Sequence, residues 1–227
     1  MTLDGRVAVV TGGGRGIGRA TVLAFVQEGA RVAFCARTKA EVQKVAREAG
    51  PGHLGLWDVD VARGEDVAAF ARNVVEELGV PDVLVCNAGV ALRAPLEQTD
   101  EAAWDLVLGV NLRGTYVCVR AFLPGMRARA NGRIVCVSSI AGRQGTAGSV
   151  AYCAAKHGVV GFVRALAEEL RGDGLQVNAV CPGSVDTAML APEFAPGMPP
   201  EEVARTIVWL AGQAPDSLTG ACIDQFG

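Results

Sequence analysis

Short apolar runs rich in β-branched residues alternate along the chain with longer stretches of helical periodicity. Residues 6–11 read as a first strand, and their Val-Ala-Val-Val centre is too continuously apolar for a sheet with one wet face. Helical spacing over 17–28 closes at Gly29. The alternation continues with a strand at 31–35, a helix at 38–49, a strand at 53–57 and a helix at 65–78. Gly79 closes that last helix, and Pro81 lies beyond it. A strand at 83–86 precedes two separate helical stretches, 101–108 and 112–129. A strand at 134–137, a long helix at 151–170, a strand at 176–180 and a helix at 201–211 follow, with a seventh strand at 221–223. Apolar strands alternating with helices predict an α/β fold: a doubly wound parallel sheet of about seven strands, helices on both faces. No linker, repeat or compositional break interrupts the pattern, so residues 1–227 are expected to form a single domain.

In such sheets ligands bind beyond the carboxyl ends of the strands, near the point where strand order reverses. Thr11, Arg37, Asp58, Asn87, Ser139 and Pro182 all fall at or just past those ends. The first strand runs into Thr11-Gly12-Gly13-Gly14-Arg15-Gly16-Ile17-Gly18, which opens a helix. Glycines let the backbone approach a pyrophosphate, and the helix start offers unpaired N–H groups with positive potential. A phosphate loop of the hydrolase type nearly fits, but Arg19-Ala20 stands where Lys-Ser/Thr is needed, which disfavours a nucleotide hydrolase. Dinucleotide-binding folds place an acid at the end of the second strand to bond the adenosine ribose. Here that position is Arg37, and Arg15 adds a second guanidinium in the loop. Both suit a 2′-phosphate, so NADP(H) is expected over NAD(H).

Tyr152 and Lys156 are four residues apart at the start of a helical stretch, so their side chains share one face. An ammonium held near a phenol favours the phenolate, which predicts a lowered tyrosine pKa and a proton donor or acceptor. The apolar run at 134–137 ends in two hydroxyls, Ser138 and Ser139, and a strand-end serine is placed to bond the same reacting oxygen.

Composition removes several alternatives. The net charge is −3 with a pI near 5.5, which gives no support for nucleic-acid binding. No apolar run reaches the length of a membrane span, and the first residues lack the order of a signal peptide. Seven cysteines without C-x-x-C or zinc spacing read as reduced, buried thiols of a cytoplasmic protein. His53 and His157 have no metal partners in the pattern.

Taken together, Thr11-Gly12-x-x-x-Gly16-x-Gly18, Asn87-Ala88-Gly89, Asn111, Ser139, Tyr152-x-x-x-Lys156 and Pro182-Gly183 resemble the short-chain dehydrogenase/reductase family over nearly the whole chain. The resemblance implies a Rossmann-type fold and carbonyl–alcohol interconversion by hydride transfer. It singles out Ser139 over Ser138 by its interval to Tyr152. Tyr152 would exchange a proton with the substrate oxygen and Ser139 would polarise the carbonyl. Lys156 would lower the tyrosine pKa and bond the nicotinamide ribose, and Asn111 would hold a water relaying protons to Lys156. Asp58 and Val59 would meet the adenine, and Asn87, Ala88 and Gly89 would pack around the adenosine. Pro182 to Thr187 would line the nicotinamide, with Gly183 in that turn, Val185 near the carboxamide and Thr187 near its amide or the pyrophosphate.

Within the family the chain is most similar to 3-oxoacyl-[acyl-carrier-protein] reductases. The segment at 188–200 is short, and Pro192, Pro196, Pro199 and Pro200 discourage a long helical lid. An open site accepts varied carbonyls, or a neighbouring subunit closes it. Arg127, Arg129, Arg133 and Arg171 are candidates for docking an acidic acyl carrier protein, although Asp173 stands where such reductases tend to place a base. The resemblance also implies a homo-oligomer, a tetramer or dimer packed through the helices at 112–129 and 151–170. Two other readings stay open: a non-catalytic NADP(H)-binding regulator of the same fold, and an NAD(H)-dependent alcohol dehydrogenase. The intact Ser139, Tyr152 and Lys156 argue against the regulator, because a binder needs no proton donor.

Overall fold

Alternate side chains of the first strand go to opposite cores. In β1 (Val7–Thr11), Val9 packs with one cluster and Ala8 and Val10 with the other. All five residues of β1 are buried, as a strand covered on both faces requires. The computed structural model describes residues 1–190 and 197–226. The sheet has seven strands: β1, β2 (Arg31–Cys35), β3 (Leu54–Leu56), β4 (Val83–Cys86), β5 (Gly132–Val137), β6 (Leu175–Pro182) and β7 (Cys222–Gln225). Their order is β3-β2-β1-β4-β5-β6-β7, with every pair parallel. This is the doubly wound Rossmann arrangement expected from the alternation.

Helices α1 (Gly16–Gln27), α2 (Lys39–Ala49) and α7 (Pro200–Gly212) cover one face, through Val22, Phe25, Val42, Ile207 and Leu210. Helices α3 (Gly64–Glu77), α4 (Glu101–Leu108), α5 (Gly114–Ala128) and α6 (Val150–Glu169) belong to the other side of the sheet. There Phe70 and Phe122 meet edge to face with ring centroids 6.0 Å apart. The chain changes sides between β3 and β4, so the crevice opens at the carboxyl ends of β1 and β4.

Two departures from the sequence pattern matter. The stretches at 101–108 and 112–129 are one continuous helix, Glu101–Ala128, joined by a π turn at Gly109–Arg113. A π turn inserts one residue per turn and shifts the side-chain periodicity, which is why the pattern reads as two helices. The joined helix is long and apolar enough to cross a membrane by length and composition. Its Val107, Val110, Val119, Phe122 and Met126 are nevertheless buried in the protein core. The second departure is β6, which continues through Pro182 and carries the chain to the rim of the crevice. Asn178 anchors the approach to β7: its amide donates to Leu218 O at 2.8 Å and its oxygen accepts from Ala221 N at 3.0 Å.

All seven cysteines are free, and five of them are buried. Burial pushes the Cys35 thiol up to about 12, so it behaves as a small apolar side chain. His53 is structural: its Nδ1 accepts from Val32 N at 3.1 Å, and burial lowers its pKa.

Candidate active site

A cavity of about 310 Å³ lies at the carboxyl ends of the strands. Every residue to which the sequence assigns a catalytic or cofactor-binding role lines it except Asp58. Asp58 is exposed and adopts φ of 60°, a left-handed conformation that aspartate tolerates better than most residues. Val59 and Asp60 line the cavity in its place.

The glycine loop is built by close approach. Gly12 has φ of 68°, and a Cβ on Gly18 would stand 2.1 Å from Gly12 O, so only glycine lets α1 start this near β1. The loop is clamped to the end of β4 by Thr11 and Asn87. The Thr11 hydroxyl accepts from Asn87 N at 3.0 Å and Ala88 N at 3.1 Å, and Asn87 Nδ2 donates to Thr11 O at 3.0 Å and Gly12 O at 3.2 Å. Asn87 therefore spends its amide nitrogen on holding the loop. Arg15 occupies the N-cap position of α1 without making a side-chain cap, and the first turn contains no acid. The start of α1 thus presents free N–H donors and positive potential to an anion. Thr187 reaches over the loop to contact Gly16.

Arg15, Arg37 and Thr38 line the cavity on the side of the glycine loop and the end of β2. Glu41 joins them from α2, with Oε1 3.6 Å from Arg15 Nη1 and its side chain packed against Gly14. The sequence reading missed this carboxylate. It lies one turn into a helix, not at the strand end where an acid is sought, and only the packing of α2 on the glycine loop brings it in.

The catalytic candidates come from three elements. Ser139 follows β5; its Oγ accepts from Ala141 N at 3.1 Å and donates to Pro182 O at 3.4 Å. Ser138 is separated from this role by its own bond, Oγ to Lys156 O at 3.0 Å, in a buried position. Tyr152 and Lys156 share a face of α6, and Lys156 Nζ lies 5.6 Å from the centre of the Tyr152 ring. Lys156 is buried and donates to Val137 O at 2.9 Å. Asn111 sits in the π turn, where Nδ2 donates to Val90 O and Val107 O, both at 2.8 Å. Its buried Oδ1 has no hydrogen-bond partner among the described residues and lies beside Gly89.

The electrostatics correct one expectation. Burial raises the Tyr152 phenol above its ordinary value; a hydrogen bond from Ser139 and the charge of Arg93 pull it down by less. The downward pull comes from Ser139 and Arg93 and not from the lysine, whose own pKa burial lowers to about 8. Tyr152 therefore holds its proton at neutral pH, and Lys156 titrates close to it.

Three features fit these residues to a nicotinamide dinucleotide. The glycine cradle admits a backbone-bound pyrophosphate, the α1 start is uncapped, and Asn111 keeps a buried acceptor open beside Lys156. The described part of the substrate side ends at Met189 and Leu190, both lining the cavity. Val185 pairs with Met198 as an isolated bridge, which ties the two ends of the intervening loop. Within the expected lid, residues 191–196, including Pro192 and Pro196, lie outside the described residues.

Comparison with known proteins agrees with this geometry. The family model described as short chain dehydrogenase matches residues 6–196. The chain is 37% identical to the 3-oxoacyl-[acyl-carrier-protein] reductase of Thermotoga maritima, over 98% of this chain and 97% of that protein. It is 40% identical to the cis-4-hydroxycyclohexanecarboxylate dehydrogenase of Sinomonas cyclohexanicum, over 96% and 94%. The crystal structure of the 3-ketoacyl-(acyl-carrier-protein) reductase from Brucella melitensis complexed with NADH superposes with a TM-score of 0.95 at 28% identity, covering 99% and 98% of the two chains. A glycine cradle at the sheet's switch point, a Ser–Tyr–Lys site beside it and a matching family model lead to one assignment: this chain belongs to the short-chain dehydrogenase family.

Proposed function

We propose that this chain reduces a carbonyl of the ketone or 3-oxoacyl type to an alcohol, with NADPH as preferred cofactor and Tyr152 as proton donor. One observation carries the reading: a single cavity is lined by both the glycine loop and Ser139, Tyr152 and Lys156. A bound nicotinamide dinucleotide supplies the hydride. Ser139 orients the carbonyl oxygen by hydrogen bonding, and Tyr152 delivers its proton there as negative charge develops. Burial raises the phenol, so Tyr152 carries the proton that the developing alkoxide takes up. Lys156, near pH 8, is suited to restoring that proton, and the open Oδ1 of Asn111 suits a water behind it.

Arg37 and Arg15, with no acid at the end of β2, support NADP(H). NAD(H) is a second reading, favoured by Glu41 beside Arg15 and by the NADH held in the Brucella melitensis reductase. The relatives' names cover acyl-carrier thioesters and a cyclic hydroxy acid, so both classes enter the substrate panel. A carrier docking patch gains little support, since Arg127, Arg129, Arg133 and Arg171 each pair with a carboxylate. They lie towards the amino ends of the strands, opposite the cavity of the same chain.

Tyr152→Phe tests the mechanism. Cofactor affinity measured by fluorescence should stay within about twofold, while kcat falls by about 10²-fold or more. Full turnover in that variant would sink the assignment of the proton donor.

A further inference from the structure

The turn before α6 carries two hydroxyls, Thr146 and Ser149, and both residues line the cavity. Ser149 N donates to Thr146 O at 3.2 Å, and Ala94 N holds the turn from outside by donating to Gly148 O at 3.0 Å. Ser149 is the N-cap residue of α6. Serine is among the preferred N-caps because its oxygen accepts from the first turn. Here the side chain makes no such bond. Ser138 and Ser139, also on the cavity wall, both have hydrogen-bond partners. The Ser149 hydroxyl has none among the described residues, although only 3% of the residue is exposed. A buried hydroxyl without a partner costs free energy until something in the cavity supplies one.

The first turn of α6 contains no acid, so the uncapped helix start adds unspent N–H donors and positive potential at the same place. N–H groups only donate, so the guest must offer an acceptor oxygen with partial negative charge. Tyr152 stands three residues further along, and residues three apart are neighbours on a helix face. We propose that Ser149 and the start of α6 hold a second acceptor oxygen of the substrate, an ester or thioester carbonyl separated from the reacting carbonyl by one carbon. Ser139 and Tyr152 hold the first oxygen. The proposal rests on the carbonyl-reductase reading and makes Ser149 a specificity-determining residue within it, because a simple ketone leaves that hydroxyl unpaired.

Ethyl 3-oxobutanoate and 4-ethoxybutan-2-one differ by that one oxygen, a carbonyl in the first and a methylene in the second. The test measures kcat/KM for both in wild type, Ser149→Ala and Ser149→Thr, using whichever nicotinamide cofactor supports turnover. Ser149→Ala should lose about five- to tenfold more on the ester than on the ether, mainly through KM, the range of one hydrogen bond. Intrinsic reactivity of the two ketones cancels in that comparison. Ser149→Thr keeps a hydroxyl and should recover part of the loss. The Tm of Ser149→Ala should stay close to that of wild type, because no cap bond is removed. Equal losses on both ketones, or no loss on either, overturn the proposal, and equal losses with a lowered Tm would assign Ser149 to capping instead. Failure of wild type to reduce either ketone speaks against the carbonyl-reductase reading itself. Calorimetry then decides the oxygen site separately, with ethyl 3-oxobutanoate titrated into the protein saturated with NADP⁺ or NAD⁺, where no hydride is available. Binding that Ser149→Ala weakens by about fivefold or more upholds the site, and absent or equal binding overturns it.

Discussion

Lys156 shows how burial resets a side chain's chemistry. Its ammonium is enclosed in the core, and its pKa falls from 10.5 to about 8. Below pH 8 the folded and unfolded chains both carry the charge, and folding bears the full cost of burying it. Between pH 8 and 10.5 the folded lysine has lost its proton while the unfolded one keeps it, so stability rises through that window. Relative to Lys156→Met, wild type should gain on the order of 3 kcal/mol between pH 7.5 and 10.5. Urea unfolding of both proteins at the two pH values checks this, and a constant difference would refute it. Cofactor choice is also decided by single residues. Arg37→Asp should shift preference towards NAD(H), and Glu41→Gln should shift it towards NADP(H) by freeing Arg15 from its 3.6 Å partner. An Arg15–Glu41 pair this exposed is worth under about 1 kcal/mol, so the Glu41→Gln shift should be no more than about fivefold. Ratios of kcat/KM for the two cofactors measure both effects.

The start of α1 trades stability for binding. An N-cap normally carries Ser, Thr, Asp or Asn, yet Arg15 stands there without capping. Arg15→Ser should stabilise the protein by about 0.5–1 kcal/mol, visible as a higher Tm without cofactor, while weakening NADPH binding. A variant that gains stability and keeps full NADPH affinity would show that Arg15 does not meet the phosphate. The π turn at Gly109–Arg113 is a comparable feature. It breaks the regular helical pattern and turns Asn111 inward, where its Oδ1 remains open.

Assembly is argued from what the single chain leaves uncovered. Leu106 and Tyr116 on the Glu101–Ala128 helix are exposed, as is Val150 at the start of α6. The outward face of α6 carries small residues, Ala154, Gly161 and Ala165, against which another helix can lie closely. The proposed homo-oligomer, a dimer or tetramer, would cover these helices. Tyr116→Glu should convert the assembly to smaller species in sedimentation velocity while leaving the circular dichroism unchanged. A wild-type protein that sediments as a monomer would remove the proposal.

The alternation of apolar runs with helical spacing determined the seven strands, their parallel pairing and the rim that bears the chemistry, because local periodicity reports which faces are buried. Gly12, Gly18, Tyr152 and Lys156 were legible for a related reason: close approach and i,i+4 stacking are short-range properties. Three things were decided only by the tertiary structure. The direction of the Tyr152 shift depends on burial by surrounding elements, which reversed the expectation drawn from its lysine neighbour. Glu41 reaches Arg15 only because α2 packs over the glycine loop. The segment after β4 meets the turn before α6 because one backbone bond joins Ala94 to Gly148, residues 54 positions apart in the chain. Each depends on distances across the sheet or between loops, and periodicity along a chain carries no record of those distances.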